Sequence, residues 1–514
     1  MGMFSRVLLA TSFAAVVGYS SLAIAQDTPK PGGVVRLAIE RDIENFEPQR
    51  NFGTSTPLFQ GQIYETLTGY DESGNLIGLL AESWEQPDPL TWTFKLRHGV
   101  VFHDGEPFDS ADVVYSFERL LNPKTAATRA AMLSLIDKVE APTPDTVSFK
   151  LKKPLETLPL IFSLPDVAIL KKGWAESGHD YSQATNGTGP FKLGQFERNV
   201  SYSLDKNEAY WRPQVPLLDK VEIIPIRDEP TRVNALLSGD VDMASLVPWE
   251  RTAEIEADPQ LAMTKTFDSF MMLRLNPTRK PFDDVRVRQA LNYAIDRKAI
   301  SDLAWGGGAQ PMTGGFIRPD SNWYTKPTTE WTYDPDKARK LLAEAGLKPS
   351  DIKFTLLSIT FVHLPTSEVV VNQLRQFGMD VSLETIEAAV LLEKRGTGDY
   401  VAMMDGGSNP FADPEFYSLW FASDGGNFAK GVGYSNPKLD ELLLASRRET
   451  DVEKRKGIIH KAEDMILADA PMGFLVWRPQ VEAYDKKVKG YKRIPGFGSD
   501  SPIYLKFDHT WISE

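Results

Sequence analysis

Two glycine-rich segments could cradle a phosphate group, because glycine lets backbone N–H groups approach a ligand closely. The triple glycine at 306–308 lacks the Lys-Ser or Lys-Thr pair that follows in a phosphate-binding loop. The segment Gly187-Thr188-Gly189 lacks the third glycine of a dinucleotide fingerprint, and no G-x-S-x-G nucleophile elbow occurs. These patterns do not indicate a nucleotide-dependent enzyme or a serine hydrolase.

Metal binding would need a cluster of histidine, cysteine or carboxylate ligands. The chain has six scattered histidines and no cysteine, and no two histidines have the H-E-x-x-H spacing. We therefore expect no metal ion and no other cofactor. Without cysteine, the chain can form no disulfide bond and carry no lipid-modified cysteine.

The charge balance bears on the choice of partner. The chain carries 57 Lys and Arg residues against 70 Asp and Glu, which gives a formal net charge of −13. Nucleic-acid binding usually requires a basic excess or a basic patch, so we expect no nucleic-acid partner. The length of 514 residues predicts two or three globular domains.

The N-terminus has the pattern of a cleavable secretory signal at residues 1–25. Arg6 precedes an apolar run at 7–17, and Ala23-Ile24-Ala25 stands before Gln26. We expect a mature chain that begins near Gln26 and resides in the periplasm. No later segment approaches the roughly 20 apolar residues of a membrane-spanning helix.

The elements that must position any site alternate between strand and helix patterns. Strand alternation occurs in three segments of the first half, at Val35, Leu37 and Ile39, at Trp92, Phe94 and Leu96, and at Val147, Phe149 and Leu151. Asp109 or Ser110 can cap a helix, and Asp334 followed by Pro335 predicts another that ends near Gly346. A further helix before Gly378 is followed closely by a strand at 381–385. This rhythm predicts an α/β fold with two lobes.

One long segment, AESWEQPDPLTWTFKLRHGVVFHDGEPFDSADVVYSFERL at 81–120, resembles the signature region of a known family. The family is the extracytoplasmic solute-binding proteins, family 5, which serve dipeptide, oligopeptide and nickel ABC importers. Five more segments follow in the family's order: GTGPFKL from Gly187, NEAYW from Asn207, PFDDVRVRQALNYAIDRKAI from Pro281, YDPDKARKLLAEAG from Tyr333 and GYSNPKLDELL from Gly433. The resemblance covers nearly the whole mature chain.

The resemblance implies a bilobed periplasmic-binding-protein clamp, type II-like, with an additional subdomain in lobe one. Lobe one would comprise residues 31–275 and 484–514, with the additional subdomain at about 62–180. Lobe two would comprise residues 276–483. The two hinge crossings would lie near 276–280 and 477–483, and two crossings permit closure with little strain in either lobe.

The resemblance also implies ligand-binding positions in lobe two. Peptide binders of the family hold the peptide amine with an acid in a motif like D-Y-x-D-P, and the matching stretch here is NPFADP, from Asn409. The amine-binding position falls on Pro410, which cannot do this. Asp405 could supply a carboxylate instead, and Gly406 and Gly407 would let backbone groups approach a ligand. The alternative for Asp405 is a turn carboxylate.

Other cleft positions implied by the resemblance are unusually basic. The loop containing Phe52, Gly53 and Thr54 replaces an acid and backbone contacts of oligopeptide binders. Arginine occupies three further cleft positions, at Arg129, Arg274 and Arg395. Guanidinium groups pair bidentately with carboxylates or phosphates, which favours an anionic solute or a peptide held by its carboxylates. For each arginine the alternative is a solvated or structural salt bridge.

Three more residues are candidate ligand contacts. His363 lies near a position that lines the cleft in oligopeptide binders, and Phe411 and Trp420 follow the loop that should face the ligand. The alternative for both aromatic rings is packing in the core.

The resemblance implies that this protein captures a peptide or peptide-like solute by lobe closure and delivers it to the transmembrane subunits of an ABC permease. An anionic non-peptide solute, such as an opine, an acidic sugar or an aromatic carboxylate, is the alternative ligand. A monomer is expected. A chaperone or sensor partner with the same fold is a second hypothesis, and an enzyme a third, although no catalytic residue stands out.

Overall fold

The computed structural model describes residues 28–43, 45–50, 55–71, 75–130, 132–360, 363–408, 413–423, 427–449, 451–491 and 506–513. The predicted secretory signal lies outside the described residues. So do the candidate ligand contacts Phe52, Gly53, Thr54, Asn409 and Phe411.

The strands and helices alternate along the described chain, as predicted. The strands are β1 Val34–Ile39, β2 Thr68–Tyr70, β3 Leu76–Gly78, β4 Ala81–Asp88, β5 Thr91–Leu96, β6 Ile136–Thr143, β7 Thr146–Leu151, β8 Phe191–Glu197, β9 Ser201–Lys206, β10 Lys220–Pro225, β11 Met243–Ala244, β12 Leu261–Leu275, β13 Gln310–Pro311, β14 Lys353–Ser358, β15 Asp380–Thr385, β16 Ala402–Ser408, β17 Met472–Asp485, β18 Val488–Lys489 and β19 Trp511–Ile512. The helices are α1 Ser55–Ile63, α2 Ser110–Leu121, α3 Leu158–Ile161, α4 Glu229–Leu237, α5 Thr252–Ala257, α6 Val285–Ala294, α7 Arg297–Ala304, α8 Pro335–Glu344, α9 Leu364–Phe377, α10 Ala388–Thr397, α11 Phe416–Phe421, α12 Asn427–Val432, α13 Pro437–Arg448 and α14 Val452–Asp469. Short 3-10 turns lie at Pro123–Thr125, Pro165–Val167, Trp249–Arg251 and Pro349–Asp351.

Local side-chain chemistry sets where the predicted helices begin and end. The Asp109 side chain accepts a hydrogen bond from Ala111 N at the start of α2, and Asp334 accepts one from Lys337 N at the start of α8. Helix α9 ends at Gly378, whose φ of 108° is a left-handed conformation that favours glycine. The predicted capping residues of these three helices are confirmed.

Most strands belong to one large mixed sheet with the order β15-β14-β16-β12-β17-β11-β1-β10-β9-β8, and β13 also pairs with β17. β1 is parallel to β10 and β11, and β14 is parallel to β15 and β16. The sheet therefore has a first half around β1 and a second half around β14. The α/β prediction is confirmed.

Two long strands, β12 and β17, join the halves. Residues 261–266 of β12 pair with 480–485 of β17 beside the first half. Residues 269–275 of β12 pair with β16, and 269–274 also pair with 472–478 of β17, beside the second half. The register of β12 against β17 shifts between Thr266 and Ser269. Both strands therefore cross between the halves at this irregular point.

A separate four-stranded antiparallel sheet, in the order β4-β5-β7-β6, lies within residues 81–151. The two predicted strands at 92–96 and 147–151 are central in this sheet. Phe117 of α2 packs on Phe149 and Phe162 with ring centroids 4.7 and 4.8 Å apart. The three rings belong to the same buried apolar cluster as the core of the second half of the large sheet.

The family-like motifs GTGPFKL and NEAYW meet at one buried carboxylate, Glu65. Its oxygens accept hydrogen bonds from Thr188 Oγ1 at 2.9 Å, Tyr210 OH at 2.8 Å and Trp211 Nε1 at 2.8 Å. A Cβ on Gly187 would stand 2.0 Å from the carbonyl oxygen of Ile63, so the backbones can approach only because this residue is glycine. These motifs therefore serve packing in the first half.

In the described ranges, no helix is long and apolar enough to cross a membrane.

Candidate functional site

The second half of the sheet brings several predicted site residues to one edge. Parallel strands β14, β15 and β16 all point their carboxyl ends toward this edge, where ligands usually bind in open α/β sheets. His363 lies between β14 and α9, and Asp405 and Gly406 lie on β16. Arg395, from α10, reaches the same place. We call Arg274, His363, Arg395, Asp405 and Trp420 the lobe-two cluster.

Asp405 is the centre of this cluster, and only 2% of it is exposed. Arg274 Nε donates a hydrogen bond to Oδ2 at 2.5 Å. Gly406 N donates to Oδ1 at 2.9 Å, and Arg395 Nη1 lies 3.5 Å from the same oxygen. Burial raises the pKa of Asp405, but the nearby guanidinium charges of Arg274 and Arg395 outweigh it and hold the pKa below its ordinary value. The carboxylate is therefore ionised and already paired.

Arg274 is fully buried on β12, where its partner across the sheet is Met403. Its guanidinium lies over the rings of Trp420 and Phe428, with centroid distances of 4.8 and 5.7 Å. Salt bridging, the alternative to ligand contact, is thus what the structure shows for this arginine. Its predicted contact with a ligand stays a prediction.

Arg395 differs from Arg274, because 26% of its side chain is exposed. It lies near the end of α10, and its contact with Asp405 is longer than that of Arg274. Its guanidinium can therefore turn toward an incoming carboxylate without breaking the Arg274–Asp405 pair.

His363 is 8% exposed, and its Nδ1 has no hydrogen-bond partner among the described residues. Burial lowers the pKa of His363 and the charges of Arg478 and Arg395 lower it further, whereas Asp405 raises it. The ring is therefore neutral at pH 7 and can donate one hydrogen bond and accept another.

The two predicted glycines make room for side chains of the cluster. A Cβ on Gly406 would stand 3.3 Å from His363 Nε2, and one on Gly407 would stand 3.3 Å from Trp420 Cζ2. Trp420 is mostly buried against Phe270, with centroids 5.9 Å apart, and against Arg274. The ring of Trp420 is therefore both part of the core and the support of the buried arginine.

Arg129 lies apart from the lobe-two cluster. Its Nε donates to Asp166 Oδ1 at 2.9 Å, and 24% of its side chain is exposed. The adjacent Thr128 N donates to the carbonyl oxygen of Gln49. Arg129 thus lies between α2 and β6, beside the segment that leads into residues 51–54.

Two ion pairs on either side of the candidate site were not predicted from the sequence. Arg455 donates to both oxygens of Asp413 at 2.6 Å. Arg119 Nη1 donates to Glu47 Oε1 at 2.9 Å and to Gln49 Oε1 at 2.7 Å, just before residues 51–54. Asp413 matches the end of the family motif, which was the available signal, but its partner is 42 residues away.

The electrostatic balance of the lobe-two cluster favours an anion. Two guanidinium groups face one ionised carboxylate and a neutral imidazole, so the cluster carries a surplus of one positive charge. Among the described residues, no group of three or more histidines, cysteines or carboxylates could hold a metal ion. The cluster can therefore accept a carboxylate through charge-assisted hydrogen bonds.

Comparison with known proteins gives the family. Residues 75–429 match the model of the bacterial extracellular solute-binding proteins, family 5 Middle. The chain is 32% identical over 482 residues to the glutathione-binding protein GsiB of Pectobacterium atrosepticum. This alignment covers 89% of this chain and 91% of the relative.

Two solved structures share the architecture. The binding protein AgaA from A. tumefaciens R10, in complex with agropinic acid, has a TM-score of 0.83 at 30% identity and covers 94% of this chain and 99% of its own. The ABC transporter-associated periplasmic binding protein DppA from Helicobacter pylori, in complex with the peptide STSA, has a TM-score of 0.82 at 27% identity. The match covers 95% of this chain and 99% of the DppA chain.

These likenesses confirm the predicted bilobed α/β clamp and the predicted role as the solute-binding component of an ABC importer. They span both predicted ligand classes, since one relative is named for glutathione and one neighbour holds agropinic acid. The chain therefore belongs to the bacterial extracellular solute-binding proteins of family 5.

Proposed function

We propose that this protein captures a peptide-like solute that presents a carboxylate to the lobe-two cluster. The observation that carries the proposal is the pairing of Asp405 with Arg274, because the buried guanidinium already balances the charge that would attract a ligand amine. The part-exposed Arg395 and the neutral His363 are then the groups that meet the solute. Glutathione has the required chemistry, and it is the ligand in the name of a relative 32% identical.

An anionic non-peptide solute is the second candidate. The neighbour AgaA, at 30% identity, holds agropinic acid in a closely similar fold. The same surplus positive charge would accept its carboxylate, because Arg pairs with any planar carboxylate irrespective of what carries it.

The family resemblance divides the chain into lobe one at 31–275 and 484–514, with its subdomain at about 62–180, and lobe two at 276–483. Because residues 269–275 of β12 pair in the second half of the sheet and residues 480–485 of β17 in the first, we propose that the hinge crossings lie at 266–269 and 478–480. Arg274 then belongs to lobe two. β12 and β17 cross between the halves of the sheet, which supports a hinge formed by two strands. The predicted contacts Phe52, Gly53, Thr54 and Arg129 would meet the solute from lobe one. A solute that contacts both lobes only when they are closed shifts the population toward the closed form.

On the lobe-two side, Asn409, Phe411 and Trp420 would complete the pocket beside Gly406 and Gly407.

We further propose that the mature protein, without its signal, is a monomer in the periplasm. It would bind its solute without transforming it and deliver the solute to the transmembrane subunits of an importer. Mass spectrometry of solute recovered after incubation should find it unchanged, and a new product would contradict this part.

The ligand class can be tested with protein that has been unfolded and refolded to remove bound solute. We would measure the melting temperature with di-, tri- and tetrapeptides, glutathione, opines, acidic sugars, aromatic carboxylates and nickel–histidine. A solute at 100 times its Kd should add about 2.7 kcal/mol of stability. Every solute in this set carries a carboxylate, so we expect a rise with at least one of them and no comparable rise with its methyl ester.

The Arg395→Gln variant tests whether Arg395 contacts the solute. Loss of a charge-assisted hydrogen bond should weaken binding of the solute identified above about tenfold. Arg448→Gln, on the exposed face of α13, is the matched control and should leave Kd unchanged. Equal Kd values for wild type and Arg395→Gln would remove Arg395 from the site.

A further inference from the structure

The ring of Trp249 packs on the triple glycine at 306–308, the segment that lacks the features of a phosphate loop. Trp249 Nε1 donates a hydrogen bond to the carbonyl oxygen of Gly306 at 3.3 Å. A Cβ on Gly308 would stand 2.1, 2.2 and 2.5 Å from Cδ2, Cε2 and Cγ of Trp249. The ring therefore lies directly on the backbone of Gly308, and no larger residue fits there while the ring is in place.

The three glycines are needed for different reasons. Gly306 and Gly307 have φ values of 55° and 81°, so their backbones favour glycine whatever surrounds them. Gly308 has no such φ, and the three atoms nearest to a Cβ built there all belong to the ring of Trp249. A substitution at Gly308 thus reports on the contact with Trp249, whereas substitutions at the other two would also strain the turn.

Trp249 is held by the first half of the sheet. It packs, partly buried, against the apolar cluster that includes Val247, Ile255 and Val481. Lys265 Nζ lies 4.9 Å from its ring centroid, and Thr252 Oγ1 donates to its carbonyl oxygen at 2.8 Å. The ring is therefore fixed in position from one side before it meets the glycines.

The contact bridges the point where β17 crosses between the lobes. Val247 N donates to the carbonyl oxygen of Val481 at 2.8 Å, on the lobe-one side. Gln310, two residues after Gly308, pairs with Trp477 on the lobe-two side. The two segments that carry Trp249 and Gly308 thus flank residues 478–480 of β17 from opposite lobes.

We propose that Trp249 and the glycines at 306–308 form a hinge seat that sets the angle between the two lobes. Opening about β12 and β17 must move the ring relative to Gly308, because the two belong to different sides of the crossing. The seat thereby favours the lobe arrangement in which the ring rests on the glycine backbone. This inference depends on the clamp architecture and not on the ligand class.

The distance between the lobes can be measured by pulsed electron spin resonance. The chain has no cysteine, so Lys124→Cys in the lobe-one subdomain and Lys340→Cys in lobe two give two unique labels on exposed positions. Spectra would be recorded without solute on Gly308→Ala, Trp249→Ala and the double variant. Gly457→Ala, where a Cβ has nothing within 4 Å, is the control.

We expect Gly308→Ala to shift the distance distribution, because its Cβ displaces the ring, and Gly457→Ala to leave it unchanged. The double variant should match Trp249→Ala, since removing the ring removes the clash. An unchanged distance distribution in Gly308→Ala would overturn the proposal. So would a double variant whose distribution differs from that of Trp249→Ala.

If Gly308→Ala does not fold, the test rests on Trp249→Ala, whose distance distribution should be broader than that of wild type. An equally narrow distribution would overturn the proposal. Neither result depends on whether a carboxylate solute binds.

Discussion

Two buried acids, Glu65 in the first half of the molecule and Asp405 in the second, are satisfied in different ways. Glu65 accepts hydrogen bonds from hydroxyl and indole groups of the motifs that mark the family. Asp405 is neutralised by the guanidinium of Arg274, with Arg395 beside it. The family motifs therefore build the scaffold, whereas the charged cluster that we propose meets the solute lies outside them. Recognising the motifs identifies the fold but not the ligand.

The largest expected effect comes from Asp405→Asn. The substitution keeps the shape of the side chain but leaves Arg274 charged, buried and unpaired, which should cost about 3 to 5 kcal/mol of unfolding free energy. Urea unfolding would measure it. Glu330→Gln, which removes an exposed pair with Lys326, is the control and should cost less than about 1 kcal/mol. A cost for Asp405→Asn as small as that of the control would show that the pair is not the anchor of the cluster.

A third buried acid, Glu463 on α14, extends the comparison, because no cation in the described part of the chain pairs with it. Burial raises its pKa to about 7, although Tyr417 OH and backbone N–H groups donate to it and lower the pKa. A carboxyl whose pKa is raised by folding stabilises the protein fully below its ordinary pKa, and that stability is lost as pH rises through about 7.

The Glu463→Gln variant tests whether the contribution of Glu463 to stability falls as pH rises. The unfolding free energy of wild type minus that of the variant should fall by roughly 3 kcal/mol between pH 4.5 and 7.5. Urea unfolding at several pH values gives both curves. A difference that stays constant with pH, or grows as pH rises, would be inconsistent with a raised pKa.

The smallest expected effect is that of Glu65→Gln. The three recorded donors to Glu65 are neutral, so an amide oxygen can still accept from part of the set, and the cost should be about 1 to 2 kcal/mol. The measurement is the same urea unfolding as for Asp405→Asn, and the two amide substitutions are matched. Equal costs at the two sites would break the distinction between an acid held by neutral donors and an acid paired with a guanidinium.

Much of the fold could be predicted from the sequence because its signals are local. The caps at Asp109 and Asp334 and the stop at Gly378 each act within one helical turn. The alternating strands at 92–96 and 147–151 likewise show in short windows. The two-lobe plan came from the family motifs, whose residues converge on Glu65.

The pairing within the cluster could not be predicted, because Arg274 and Asp405 are 131 residues apart. Sequence analysis assigned both to the cleft separately, as a ligand contact and as a ligand or turn carboxylate. One signal was present: each is a single charge in an otherwise apolar strand, FMMLRL and VAMMD, and the two charges have opposite signs. Adjacent strands β12 and β16 bring such charges together, and only the sheet order reveals that adjacency.

We propose above that the solute meets this cluster through a carboxylate. Calorimetric titration of stripped protein with each binding solute, and with the methyl ester of the same solute, tests this contact. We expect every ester to bind at least about tenfold more weakly than its acid, because the surplus positive charge is left unpaired. An ester that binds as tightly as its acid would show that the cluster does not recognise a carboxylate.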